Sequence, residues 1–501
     1  MKKVAIIGAG LGGLVAGNLL AKKGHRVVLF EANGVPGGCT SGFHKKGFYF
    51  ESGAHALENT ATFYKALDDV GIRDRVRLIR RRDRLVSPFF DIRIDSYPVF
   101  KQAIYAAFPA EKDRLAGYFG ELDPLCEAMR PFANRVSPSL FTGPRKLLAM
   151  APYVLKGRPF MQLMKKHGDE TCTDLAARHF AKGSVLRRLF AHMGYPEMGM
   201  FALAAWFTMI LEDYWYVAGG MQALADALAD RFREQGGDLR LKSRVTRILT
   251  RAGRAVGVEA EGASEECDWV ISASDFKKTF TALLDDPSLL PAGTLEKIRS
   301  AAVSEGVFTV YLGLAMSNDE LGRHMKQPSV EYATFADDVD FDNPGDRAHF
   351  AKAPIALHSP SLAGAGEAPQ GRSSLMIMSM APAGWQDHWH RSDRPQYDEL
   401  KEFVKRTLIE RAETVVPGLR SRIEFEDAAT PLTYERYTGS SDGATSAWSW
   451  NPRKKFYDSP MMSLVVETAV PNLLVGSSWA TQIGGIPGAI AGAYAAARKV
   501  G

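Results

Sequence analysis

Cysteine is scarce in this chain of 501 residues, which has only four. Cys39, Cys126, Cys172 and Cys267 stand far apart and form no CxxC pair. That excludes a disulfide scaffold and a zinc ribbon, predicts no metal site, and fits a reducing compartment. Long apolar runs are missing too. The longest, Met198 to Leu211, gives way to Glu212 and Asp213, short of the roughly 18 apolar residues that span a bilayer. There is no large excess of one charge: 62 Lys and Arg face 57 Asp and Glu, a net charge of +5. Nucleic acid is therefore not expected as a partner. A signal peptide is not expected either, because Met1-Lys2-Lys3 leads directly into a short apolar strand and a glycine turn. These features predict a cytoplasmic protein, either soluble or lying peripherally on the cytoplasmic face of a membrane. Nothing in them sets an oligomeric state.

Glycine is abundant, at 46 residues, and its placement is informative. Val4 to Ile7 is a buried parallel strand by pattern. Gly8-Ala9-Gly10-Leu11-Gly12-Gly13 follows, then a helical stretch rich in small residues to Lys23, then a second strand from Arg26 to Phe30 that ends at Glu31. In this order each part has a function. Gly8 permits the tight turn, Gly10 the approach of a pyrophosphate, and Gly13 the close packing of helix on strand. The helix N-terminus attracts the phosphates, and Glu31 accepts hydrogen bonds from ribose hydroxyls. A carboxylate at Glu31 also disfavours a 2′-phosphate, leaving NAD or FAD. The glycine-rich segment Gly34 to Phe43, next to the ribose acid, favours FAD, whose flavin arm has to pass it.

The run from Gly8 to Glu31, then Gly37-Gly38-Cys39, then Gly47 to His55, resembles the phytoene desaturase superfamily of flavoproteins, in particular its retinol saturase and carotenoid isomerase branch. Gly219-Gly220-Met221-Gln222 is similar to a helix start of that family. Pro471 to Gly476 is similar to its last strand, and Ile483 to Ala489 to its closing flavin motif. The resemblance implies an α/β fold, with a Rossmann-type FAD-binding domain of the GR2 kind and an inserted α+β substrate domain. It implies cofactor contacts at Gly8, Gly10, Gly12, Gly13, Glu31, Ala32, Gly37, Gly38, Cys39, Gly53, Ala54, Val245, Gly476, Ser477, Gly485, Ile486 and Pro487. Two positions depart from the family: Cys39-Thr40 stands where a basic residue is common, and Ser477 where an aspartate is usual. The expected FAD-binding domain is discontinuous, covering residues 1–90, 219–300 and 465–501. Residues 91–218 and 301–464 are expected to build the substrate domain.

That substrate domain is rich in bulky apolar residues, among them Phe201, Trp206, Phe207, Met209, Tyr214, Trp215, Tyr216, Trp448 and Trp450. A lipophilic small molecule is the expected substrate. Residues 141–166 carry Arg145, Lys146, Lys156, Arg158, Lys165 and Lys166 among apolar residues and no acid, the pattern of a segment lying on an anionic membrane. The run Arg80-Arg81-Arg82 is expected to be solvated surface. His55 is the expected acid–base residue, with Glu58, Tyr434 and Tyr437 behind it. The activity implied is FAD-dependent desaturation, saturation or isomerisation of a carotenoid- or retinoid-like polyene. The alternatives are an amine-oxidase-like flavoenzyme and a non-catalytic flavin carrier.

Overall fold

The first strand, Lys3–Ile7, is apolar on both faces because both faces are covered. It pairs in parallel with Arg26–Phe30 on one side and Trp269–Ser272 on the other. Asp238–Arg240 and Leu473–Val475 complete a five-stranded sheet, parallel throughout. The strand order reverses at Lys3–Ile7, so the turn after Ile7 lies at the switch point, where open parallel sheets bind their ligands. The computed structural model describes residues 1–195, 197–335, 347–381, 389–458 and 463–501.

Alternate residues of the sheet feed two different layers. Val4, Ile6, Val27, Leu29, Ile271 and Leu474 face helices Leu11–Lys22, Gly220–Glu234 and Gly485–Val500. Ala5, Ile7, Val28, Phe30, Val270 and Val475 face an antiparallel meander of Val245–Arg251, Arg254–Ala260 and Ala263–Glu266. Helices on one face and a β-meander on the other make this an α/β FAD-binding fold.

A second, seven-stranded sheet runs Ile423–Ala429, Gly306–Leu314, Ser373–Ala381, Ile355–His358, Ser329–Tyr332, Asp83–Ser87, Phe90–Ile94. The expected domain boundary at residue 90 therefore falls inside a hairpin of this sheet. The strand Asp83–Ser87 pairs with Ser329–Tyr332 and Phe90–Ile94, not with the cofactor sheet. Helices between Tyr97 and Ala205 pack into a separate aromatic-rich core against that hairpin. A small sheet of Leu57–Glu58, Tyr214–Val217 and Leu78–Arg80 joins the two units. Among the described residues no helix is long and apolar enough to cross a membrane.

One aromatic ring holds several distant segments together. Tyr49 is 2% exposed, and Cβ atoms placed on Gly42, Gly220 or Gly366 would all overlap its ring or hydroxyl. Its hydroxyl donates to Glu51 Oε2 at 2.8 Å, and Glu51 accepts from Met221 N at 3.2 Å at the start of helix Gly220–Glu234. Gln222, one turn into that helix, accepts from Gly42 N at 3.1 Å and donates to Pro36 O at 3.2 Å. The glycines of the Gly219-Gly220-Met221-Gln222 sequence thus let a helix meet the loop that carries Gly37 and Gly38. Gly220→Ala is expected to destabilise the fold by about 2–4 kcal/mol in urea unfolding. Gly236→Ala, at a similar φ of +81° but with nothing within 4 Å, is expected to cost only about 1 kcal/mol.

Candidate active site

The turn after the first strand is built by backbone contact. Gly8 has φ +97° and lies against Ala273 O. A Cβ on Gly13 would overlap Gly8 O, and one on Gly12 would overlap Gly476 O. Only glycine at these positions lets helix Leu11–Lys22 start this close to two strand ends. Gly10 is different: its Cβ would meet nothing nearer than Gly37 O at 4.0 Å. No side chain caps the helix, so its first amides face that open space, as an anion site requires. Glu31 is buried beside it, its Oε2 accepting from Ala9 N at 2.9 Å and its Oε1 from Asn33 N at 2.8 Å. Ser243 N donates to Glu31 O at 2.7 Å. This brings the segment entering Val245 alongside Glu31 and Ala32.

The loop Gly37-Gly38-Cys39 continues from there. Gly37 and Gly38 have φ of +123° and +57°, and Gly37 N donates to Ala9 O at 2.8 Å. Cys39 O accepts from Ala54 N at 2.8 Å, and a Cβ on Gly53 would lie 2.6 Å from that same oxygen. Burial raises the Cys39 thiol to about 11, so it stays neutral. At the far end of the chain a Cβ on Gly492 would lie 2.5 Å from Ser477 O. The final helix therefore docks on the Gly476-Ser477 turn and aims its uncapped N-terminus, Gly485-Ile486-Pro487, at the same region. Segments that are remote in sequence thus form one continuous cradle. It offers an acid for ribose, a helix start for a pyrophosphate and a second helix start beyond, which fits FAD.

Cys39, Gly53, Ala54, Gly485 and Ile486 also line a cavity of about 440 Å³. Much of its wall is apolar: Ile94, Met198, Ala202, Trp206, Ile210, Leu211, Val307, Leu357, Met378 and Met380. Trp206–Ile210 is a π-helical turn, a distortion common at functional sites. Tyr434 is on the wall, with its hydroxyl 2.7 Å from Thr309 Oγ1. Tyr437 is 58% exposed and is not among the lining residues. Trp450 lines the cavity and stacks on Tyr195, whereas Trp448 is core, stacked on Phe456.

Titratable groups gather where the cavity meets the loop after Ala54. His55 lines it, and Arg81 Nη1 lies 2.6 Å from His55 Nε2. A guanidinium can only donate, so Nε2 is the acceptor and its lone pair is taken. Burial, then the charge of Arg81, holds His55 well below the usual histidine range. Glu58 also lines the cavity, about one side-chain contact from the start of the final helix: its Oε1 is 3.6 Å from where a Cβ of Gly485 would sit. Burial, with a smaller push from Asp213, lifts Glu58 to about 7. Glu331 is lifted to about 7 as well, by burial and then by Asp83. Arg81 is not solvated surface as its triplet suggested. The link between strands Leu78–Arg80 and Asp83–Ser87 leaves Arg82 exposed and turns Arg81 in, against Asp83 at 2.6 Å and 4.4 Å above the ring of Tyr214. Arg81, Glu331 and His358 are site residues that no local pattern marked.

A model of the family "Flavin containing amine oxidoreductase" matches residues 11–501. The chain is 26% identical to phytoene desaturase (lycopene-forming) of Pseudescherichia vulneris, over 99% of this chain and 98% of that one. It is 25% identical to all-trans-retinol 13,14-reductase of Danio rerio over 87% of this chain and 76% of that one. Its identity to the chloroplastic prolycopene isomerase of Daucus carota is also 25%, over 87% and 70%. Among solved structures, putrescine oxidase bound to putrescine superposes with a TM-score of 0.63 at 16% identity, covering 100% of this chain and 98% of that one. That is a likeness of fold. Gly10→Val is expected to abolish flavin binding, read as lost flavin absorbance after purification. Its unfolding free energy should stay within about 1 kcal/mol of the parent, because the new side chain enters open space.

Proposed function

The chain belongs to the flavin-containing amine oxidoreductase family and is an FAD-dependent oxidoreductase, and from that premise we propose that it acts on carbon–carbon bonds of a lipophilic polyene, by desaturation, saturation or isomerisation. The observation that carries this reading is the cavity. Met198, Met378, Met380, Leu211, Leu357, Ile94, Ile210 and Trp206 give it a large apolar wall, and the same cavity is lined by Cys39, Gly53 and Ile486. The relatives named for polyene desaturation, retinol reduction and prolycopene isomerisation support it. The putrescine oxidase likeness, at 16% identity, gives no comparable support for an amine substrate.

Bound flavin supplies a hydride acceptor or donor. The protein's own residues do the rest. The apolar wall excludes water and holds an extended chain by contact. The start of helix Gly485–Val500 directs its positive dipole end at the cofactor region. His55, held neutral and fixed by Arg81, positions the loop that follows Gly53-Ala54. Proton exchange is assigned to Glu58, which lines the cavity, is lifted to about 7 and so can hold or release a proton near neutrality. Holoenzyme incubated anaerobically with a polyene panel is expected to give a product differing by two hydrogens, or an isomer of changed retention time. Loss of flavin reduction or product with every polyene would sink the reading. In Glu58→Gln the rate is expected to fall by about 10²–10⁴-fold, and the pH step near 7 should vanish. That step rises with pH if Glu58 acts as base and falls if it acts as acid.

The route to such a substrate is proposed to be a membrane surface. Helix Gly143–His167 buries only Gly157 and His167, and leaves Leu147 72% and Leu155 81% exposed, with Leu148 and Val154 similarly bare. Its basic residues have no acid among them. Phe160 on this helix packs edge-on against Phe201, next in the chain to Ala202 on the cavity wall, so the helix is tied to an element that lines the chamber. The full-length protein is expected to float with vesicles containing anionic phospholipid, less so at high salt. Leu148→Glu with Leu155→Glu is expected to reduce that binding by at least about tenfold.

A further inference from the structure

Much of the wall of the cavity is apolar, and one polar stretch of it, around Arg81, is built in detail. Arg81 is 13% exposed and Asp83 18% at the side chain. Nε donates to Asp83 Oδ1 at 2.7 Å and Nη1 to His55 Nε2 at 2.6 Å, while Nη2 forms an ion pair with the same Asp83 oxygen at 2.6 Å. At least one hydrogen on each terminal nitrogen remains. Tyr216, His358 and His55 form a stack, with centroid separations of 5.1 and 4.7 Å. Tyr216 hydroxyl meets Ser329 Oγ at 2.7 Å, and Ser329 Oγ meets His358 Nδ1 at 3.1 Å. This chain fixes the ring of His358 and leaves its Nε2 with no partner among the described residues, in a residue 0% exposed to solvent. The carboxyl group of Glu331 likewise has no hydrogen-bond partner among the described residues, and it lines the cavity beside Ser329 and His358.

A hydrocarbon terminus has no use for these groups, and an unpartnered buried imidazole nitrogen costs about 1–3 kcal/mol. The structure assigns this stretch of the cavity to a neutral oxygen-bearing terminus of the substrate, a hydroxyl or a carbonyl, taken by His358 Nε2, Arg81 and Glu331. A neutral group is favoured over a charged one because the site resists added charge of either sign. Arg81 is already balanced by Asp83, and burial, then the negative field of Asp83, lifts Glu331 to about 7, so that it is neutral below neutral pH. Burial and the positive field of Arg81 keep both imidazoles neutral, His358 down to about 3. The amphoteric set of donors and acceptors matches a hydroxyl, which both donates and accepts. Because His55 follows Ala54 directly, the terminus lies next to the cofactor-facing loop.

This inference rests on the polyene reading, and its test separates the two. Binding to the purified holoenzyme is read from the shift of polyene absorbance at pH 6, where Glu331 is mostly protonated. The probes are an all-trans polyene hydrocarbon and its terminal alcohol, carboxylic acid and primary amine of equal chain length. The alcohol is expected to bind at least about tenfold more tightly than the hydrocarbon, and more tightly than the acid and the amine. His358→Phe keeps the stacked ring and removes Nε2. Glu331→Gln keeps the shape and the capacity to donate. In His358→Phe the preference for the alcohol should shrink to within about twofold while hydrocarbon affinity holds. In Glu331→Gln the preference should persist, which separates loss of one contact from general damage to the cavity. Equal binding of alcohol and hydrocarbon by the parent, or tighter binding of the acid or amine, overturns the oxygen site. If the hydrocarbon is also converted, the polyene reading survives that result. Failure of every polyene to bind overturns both.

Discussion

The structure depends on backbones meeting without side chains between them. Helix Leu11–Lys22 starts against Gly8 O and Gly476 O, and a Cβ on either Gly13 or Gly12 would occupy the space of those oxygens. The final helix repeats the arrangement, with Gly492 against Ser477 O. These approaches bring the first strand, the last strand and the last helix to one point. A methyl group at any of them would separate the helix from the sheet by more than a close-packed interior tolerates. The parallel sheet, its two covering layers and the cradle at its switch point all follow from that contact.

The same economy of space recurs at Tyr49, where three glycines from separate segments surround one ring. Here it ties the Gly37-Gly38 loop to helix Gly220–Glu234 through Glu51 and Gln222. Cofactor cradle and substrate cavity are therefore not independent parts. Cys39, Gly53 and Gly485 belong to both, and the position of each is set by backbone contacts. The apolar wall comes from elsewhere, from the helices between Tyr97 and Ile210 and the seven-stranded sheet. Division of labour follows: glycine geometry holds the cofactor end, and bulky side chains shape the chamber.

Electrostatics divide the chamber further. Glu58, Glu331 and His55 all line the cavity, and burial is the leading cause of each shift. Arg81 decides their roles. It takes the lone pair of His55, which is why proton exchange is proposed for Glu58 instead. The substitution of Ser477 for an expected acid moves in the same direction. It leaves one fewer charge at the cradle, and Ser477 Oγ lies 3.5 Å from Ser274 O.

The α/β class, the strand–turn–helix–strand order from Val4 to Glu31 and the returning motifs at Gly219 and Gly485 were legible in the sequence, because each is a local pattern whose spacing states its own geometry. The basic, acid-free composition of residues 141–166 was legible for the same reason, being a property of one helix, Gly143–His167. The boundary near residue 90 was not, since alternation in Asp83–Ser87 says that a strand exists but not which sheet it joins. Nor was the inward turn of Arg81: in a run of three arginines, which one faces the interior depends on strand pairing with Tyr214–Val217. Glu331 and His358 reach His55 only through the pairing of strands hundreds of residues apart in the chain. The sequence by itself determined what cofactor is held and how, because contact between backbones needs particular residues at particular spacings. Which charged groups stand together in the cavity was decided by the tertiary structure alone, because electrostatic partnership depends on distance in space and leaves no period along the chain.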